Sequence, residues 1–192
     1  VSSVSMGTAA SLEEAVATLT KVGREGSGNE AATKAWKETV AAGPKALALL
    51  LEKAGPAEGV PGNWLRVAAN SIVDRALEQN APLPLDMLES YVRNTANADA
   101  ARVLAFDLLV QADATRASKL ERTLGEDPVQ SLRRGAVAHL IAAAQSAKPG
   151  DALAAWKEAL RVVRDEDQTK TVVEALRALG EKVDVARHFG FL

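Results

Sequence analysis

The stretch Asp127-Pro128-Val129-Gln130-Ser131-Leu132-Arg133-Arg134-Gly135-Ala136-Val137-Ala138-His139-Leu140 decides the fold class. It opens on a helix-start dipeptide and then runs on without the strict apolar–polar alternation of a half-buried strand. Within it, Arg133 is followed three residues on by Ala136 and four later by Leu140. The same order recurs as Arg66–Ala69–Val73 and Arg102–Ala105–Leu109, at offsets of 36 and 31 residues. Each match is preceded by another helical segment or by a turn rich in Asp, Asn, Gly or Pro. Periods near these values, built of paired helices, are what stacked α-solenoid repeats produce. The reason is packing: a small Ala lets the neighbouring helix approach. The apolar residue seven after the Arg lies on nearly the same face and fills the layer.

Working outward, helix signals dominate. Ser11-Leu12-Glu13-Glu14 reads as a capping box, followed by Leu12, Val16, Leu19 and Val22 at helical spacing up to Gly23. Asn29 reads as the cap of a second helix through Trp36 and Val40, stopped by Gly43, and Pro44 suits the first turn of a third. Residues 56–62 read as a loop by composition. Further helices are predicted over 63–79, 84–95, 99–112, 114–124, 128–146, 150–164 and 168–180. Asp165-Glu166-Asp167 precedes the last of these, where negative charge complements the positive helix end. No segment argues for a strand.

Composition agrees with a packed helical protein and excludes several classes. Of 192 residues, 47% are hydrophobic, 25% charged and 4% aromatic, and 38 are alanine and 23 leucine. With no cysteine, a disulfide scaffold and a Cys-ligated metal centre are excluded. Lys and Arg number 23 against 25 Asp and Glu, a net charge of −2 without the signature of a nucleic-acid binder. No apolar run approaches the ~18 residues of a membrane span. The chain opens Val1-Ser2-Ser3 without an initiator Met or an intact signal peptide. It stops on the apolar tail His188-Phe189-Gly190-Phe191-Leu192. These ends suggest one domain, 1–192, excised from a longer polypeptide. A cytoplasmic and an exported location both remain open.

The stretch from Asp127 to Leu140 resembles the second helix of a HEAT-type repeat, from the HEAT-like (armadillo-type) α-helical repeat family. That family's usual pattern is Asp-Pro, a short spacer, an apolar residue and Arg, then Ala and Leu. Asp99-Ala100-Ala101-Arg102-Val103-Leu104-Ala105-Phe106-Asp107-Leu108-Leu109 is a shorter version, and Asn63-Trp64-Leu65-Arg66-Val67-Ala68-Ala69 a third without the Asp-Pro. The resemblance covers about residues 60–146. It implies an all-α superhelix of about five helix pairs, and scaffolds or binding surfaces rather than a particular reaction. Residues 11–54 depart from it by lacking the Arg–Ala signature, which a capping repeat or a plain helical bundle would equally explain.

Chemistry-bearing groups are sparse. His139 and His188 are the two histidines, and neither begins the His-Glu pairs that mark HEAT-like metal oxygenases; no metal ligand set and no cofactor is expected. No phosphate-cradling loop, nucleophile elbow or dinucleotide fingerprint is found, since glycine-rich Gly23–Asn29 follows a helix rather than a strand. HEAT-like DNA glycosylases present a basic groove with aromatic residues, a template that this acidic, aromatic-poor chain fits poorly. Trp36 and Trp156, in the matching strings Ala35-Trp36-Lys37-Glu38 and Ala155-Trp156-Lys157-Glu158, read as core anchors.

The binding candidates are Trp64, at a helix start, and the aligned Arg66, Arg102 and Arg133. The tryptophan is either a packed cap or an exposed anchor. The arginines either pair structurally with acids such as Asp74, Asp99, Asp107 or Asp127, or form an anion- or peptide-binding stripe. The expected function is a non-catalytic scaffold module that binds a protein or peptide, including other domains of its own chain. The alternative is an enzyme or enzyme subunit, lyase- or glycosylase-like, with its site on the concave face. It would be marked by a desolvated carboxylate or His beside an Arg. A spacer between domains is a third possibility.

Overall fold

The computed structural model describes residues 4–23 and 27–186, with side chains from Ser11 onward. Every regular element among them is helical. Helices α1 (Val4–Leu19) and α2 (Asn29–Ala42) are followed by a 3₁₀ turn, Gly43–Ala46, that leads into α3 (Leu47–Ala54). Then come α4 (Gly59–Glu78), α5 (Leu85–Arg93), α6 (Asp99–Ala112), α7 (Ala114–Glu121), α8 (Gln130–Gln145), α9 (Pro149–Val162) and α10 (Glu166–Ala178). The residues group into two compact units, one up to Ala117 and one from Ser118, with the division inside α7.

In the first unit successive helices pack as pairs, α1 on α2, α3 on α4 and α5 on α6. The second members also lie side by side, α2 against α4 and α4 against α6. Val16 and Leu19 of α1, Leu47, Leu50 and Leu51 of α3, and Leu65 and Ile72 of α4 are buried. So are Leu88 and Val92 of α5 and Leu104 and Leu108 of α6. Ala69 and Ala105, three residues after their arginines, are completely buried, as are Val73 and Leu109. The alanine and branched-apolar positions of these two repeats are therefore core positions, and at the alanines a larger side chain would crowd its neighbours.

The second unit packs α8 on α9 and α9 on α10. Its core joins Ala144, Trp156, Ala159, Val172 and Leu176, with Leu140, Ile141 and Leu153 against them. Ala136 holds the small-residue position here and is buried too. The Asp-Pro motif acts as a clip. Val129 N–H donates to Asp127 Oδ1 (2.9 Å), and Arg133 Nη1 donates to the carbonyls of Asp127 (2.9 Å) and Pro128 (3.3 Å). One arginine thus ties down the loop carbonyls in front of its own helix.

Three sequence expectations are corrected. Helix α1 begins at Val4, so Ser11 lies inside it and caps nothing. The residues before Ser11 hold no proline and include Ala9 and Ala10, so nothing stops the helix from extending back through them. Helix α2 has Gly28 at its cap position, at φ 86°, and Asn29 is its first helical residue. The expected loop over 56–62 ends early, because α4 starts at Gly59 after Glu58. Pro61 is tolerated there because a first-turn residue has no intrahelical partner for the N–H that proline lacks. Gly62 is required there: a Cβ would stand 2.7 Å from the Ala57 carbonyl oxygen.

Candidate functional site

Starting α4 four residues earlier than expected brings Val60 onto the helix and in line with Trp64. At 100° per residue, Val60, Trp64, Val67, Ser71, Asp74 and Glu78 fall on one strip within about 80° of arc, nearly opposite the buried Leu65, Ala69 and Ala76. The first half of the strip is apolar. Val60 is 42% exposed, Val67 51%, and Trp64 is half-buried between them. Together with Asn63 they line a shallow apolar space of about 220 Å³. Trp64 is therefore both packed along one edge and open along another.

The second half of the strip is polar and forms one wall of a larger groove. Ser71, Asp74, Arg75 and Glu78 of α4 face Trp36, Lys37, Val40 and Ala41 of α2 across about 530 Å³. It adjoins a second space of about 300 Å³, where Val40, Ala41 and Arg75 recur beside Gly43, Pro44, Ile72 and Gln79. Trp36, expected in the core, is half-buried at this groove, and its buried Nε1 finds no acceptor among the described residues. The charges are divided by side. Arg75 sits with Val40 and Ala41 on the α2 flank, near Lys37. Asp74 accepts the Gln111 side-chain amide on the α6 flank. Among the described residues, Lys37, Arg75 and Glu78 form no ion pair.

The three aligned arginines do three different jobs. Arg66 is exposed and lies 3.8 Å from the Asp107 carboxylate. Arg102 is completely buried, and its Nε donates to the Val92 carbonyl at the end of α5 (2.8 Å). Arg133 is half-buried on its Asp127–Pro128 clip. Arg66 and Arg102 therefore do not share a surface, and Arg102 is closed to any ligand. The sequence pointed to carboxylates as partners. For Arg102 and Arg133 the structure brings in backbone carbonyls as partners, because helix ends and the loops beside them leave acceptors that need donors.

Two other groups bear on chemistry. Burial pushes the Asp107 carboxyl above its ordinary range, against the pull of Arg66. Its side chain nevertheless keeps 55% of its surface in solvent, so water screens most of that effect. His139 is half-buried, with Nε2 2.7 Å from Glu121 Oε2, a contact that fixes α8 to the end of α7. His188 lies outside the described residues. Among the described residues no three His, Asp or Glu side chains converge to hold a metal ion. No described helix is long and apolar enough to cross a membrane.

Comparison with protein-family models, with curated proteins and with solved structures finds no match for this chain.

Proposed function

We propose that the chain is a non-catalytic interaction module, built of stacked helix pairs of the HEAT-like kind, that presents the outer strip of α4 to a protein or peptide. The pairing of α1 with α2, α3 with α4 and α5 with α6, with α2, α4 and α6 adjacent, supports the stacked-pair reading. The function rests on one observation. Val60, Trp64 and Val67 form an exposed apolar row on a helix whose opposite face already fills the core. A row of this kind, centred on a tryptophan, has the makeup of a binding anchor.

The test is affinity capture from the source organism's lysate with the wild-type chain, with Trp64→Glu and with Glu174→Lys of the second unit as baits. A partner held by wild type and Glu174→Lys but lost from Trp64→Glu supports the reading. Equal capture by all three removes the α4 strip from it.

A second reading, an enzyme or enzyme subunit, draws on the raised Asp107 carboxyl beside Arg66. Neither residue lines the space at Trp64 or the groove at Trp36.

A further inference from the structure

We infer that the α4 strip receives an amphipathic helical peptide whose polar end carries charges of both signs; this rests on the interaction-module reading above and names its partner class. From Val60 to Glu78 the strip runs about 27 Å, the length of a helix of about 18 residues. Its apolar half, Val60, Trp64 and Val67, repeats at intervals of four and three, the spacing with which a facing helix lays down its own anchors. Its polar half sets the charge of the partner. Lys37 and Arg75 stand on the α2 flank, Asp74 reaches toward α6, Glu78 lines the groove with them, and none of the four is neutralised by an ion pair among the described residues.

A phosphate or nucleic-acid backbone would meet Asp74 and Glu78, and a purely basic tail would meet Lys37 and Arg75. A partner with an acid toward the α2 flank and a base toward the α6 flank is complementary to both. A helix carrying Glu and Lys four residues apart displays that pair on one face without added strain. The arrangement gives direction as well as affinity, because the anchors and the charge pair lie at opposite ends of the strip.

The experiment is a display selection of peptides of about 18 residues against the whole chain, followed by fluorescence anisotropy of the most enriched peptide. Baits are wild type, Trp64→Glu, the double variant Lys37→Glu/Arg75→Glu and Glu174→Lys, each first checked for wild-type circular dichroism. Expected are peptides with apolar residues at i, i+4 and i+7 and both charge signs beyond them. Binding should weaken by on the order of tenfold or more with Trp64→Glu and be unchanged with Glu174→Lys. The double variant should enrich peptides in which the acid has become a base.

Enriched peptides that bind Trp64→Glu as well as wild type overturn this site, while an interaction module working through another face still stands. Peptides of a single charge sign, or wild-type chains that pair through α4 in sedimentation, overturn the partner assignment. If no peptide is enriched and the lysate capture also fails, the module reading falls with it.

Discussion

Trp36 and Trp156 sit in the same four-residue string, each with an apolar residue four positions on, yet they meet different surroundings. Trp156 is 7% exposed, enclosed by Ala144, Ala159, Val172 and Leu176 from three helices. Its neighbour Lys157 pairs with Glu181 at 2.9 Å. Trp36 faces a helix that offers Ser71, Asp74, Arg75 and Glu78, and it stays half-open, while Lys37 has no ion-pair partner among the described residues. A local string thus specifies a helix and an inward-leaning aromatic residue. What closes over that residue is decided on other helices, 35 or more residues along the chain for Trp36 and 12 to 20 for Trp156. In the second unit this completes a core, and in the first it leaves a groove.

The largest expected effect separates these two sites. Trp156→Ala removes a closely enclosed aromatic side chain and should cost about 3–5 kcal/mol in urea unfolding followed by circular dichroism. Trp36→Ala loses less buried surface and should cost less than about 2 kcal/mol. Equal losses would mean that Trp36 is as enclosed as Trp156 and that the groove is not open to a partner.

That contrast also marks how far the sequence could be read. Helices were legible because alanine, leucine and a period of 3.6 dominate, and α6 runs over the residues 99–112 that its pattern predicts. The arginine-plus-three alanines were legible as core positions for the same reason, since their periodicity is local. Val60 was not, because Pro61 and Gly62 beside it carry the composition of a loop. Only the backbone of α4, helical from Gly59 onward, reveals that they form its first turn. The arginine partners were also hidden. Sequence offers carboxylates as candidates, but every residue carries a carbonyl, and only the fold shows which carbonyls are left without a donor.

The small-residue positions extend the comparison across both units. Ala105 in α6 and Ala136 in α8 are both buried at the same place in the pattern. Ala105→Leu and Ala136→Leu should each overpack the core and cost about 1–3 kcal/mol, read as a lower urea midpoint. Wild-type midpoints in both would show that neither alanine is a close-contact position and that the repeat alignment is wrong.

Two glycines inside helices sharpen it further. At Gly62 in the first unit a Cβ would meet backbone, the Ala57 carbonyl oxygen at 2.7 Å, which cannot step aside. Gly62→Ala should therefore cost about 1–2 kcal/mol, despite the helix preference for Ala. At Gly135 in the second unit the Cβ would fall 1.9 Å from Glu121 Oε1, the far end of a flexible side chain. Gly135→Ala should move Glu121 off His139 and leave stability within about 0.5–1 kcal/mol of wild type, the gain in helix preference offsetting the lost contact. The readout is a shift of the His139 ring resonances in NMR with an almost unchanged melting temperature. An unmoved ring resonance would mean that the carboxylate contact is not what holds His139.

The smallest effects are electrostatic, and each unit holds a carboxylate in an arginine grip, half-buried in the first and exposed in the second. In the first, Glu89 accepts from Arg116 Nε (2.7 Å) and from Arg93 Nη2 (2.9 Å), which lowers its carboxyl below the ordinary range. In the second, Asp167 accepts from Arg134, with Nη1–Oδ1 at 2.8 Å, and is lowered to about 2. Both groups favour the charged form in the fold, so whatever they add to stability is complete above the unfolded carboxylate range, about pH 4. It is lost as the pH falls through the folded value, near pH 2 for Asp167. Because the Asp167 pair is exposed and the Glu89 cluster still borders solvent, the effect on the unfolding curve should be slight and should shrink with added salt, most of all for Asp167. The sensitive measurement is a carboxyl NMR titration. Arg134→Gln should raise the Asp167 midpoint toward that of a free aspartate, with its backbone hydrogen bonds holding it somewhat below, and leave Glu89 unmoved. A wild-type Asp167 that already titrates near 3.9 would show that Arg134 does not hold it in solution, leaving the apolar face of α10 and the Gln168 side-chain amide on the Arg134 carbonyl (3.0 Å) to tie it to α8.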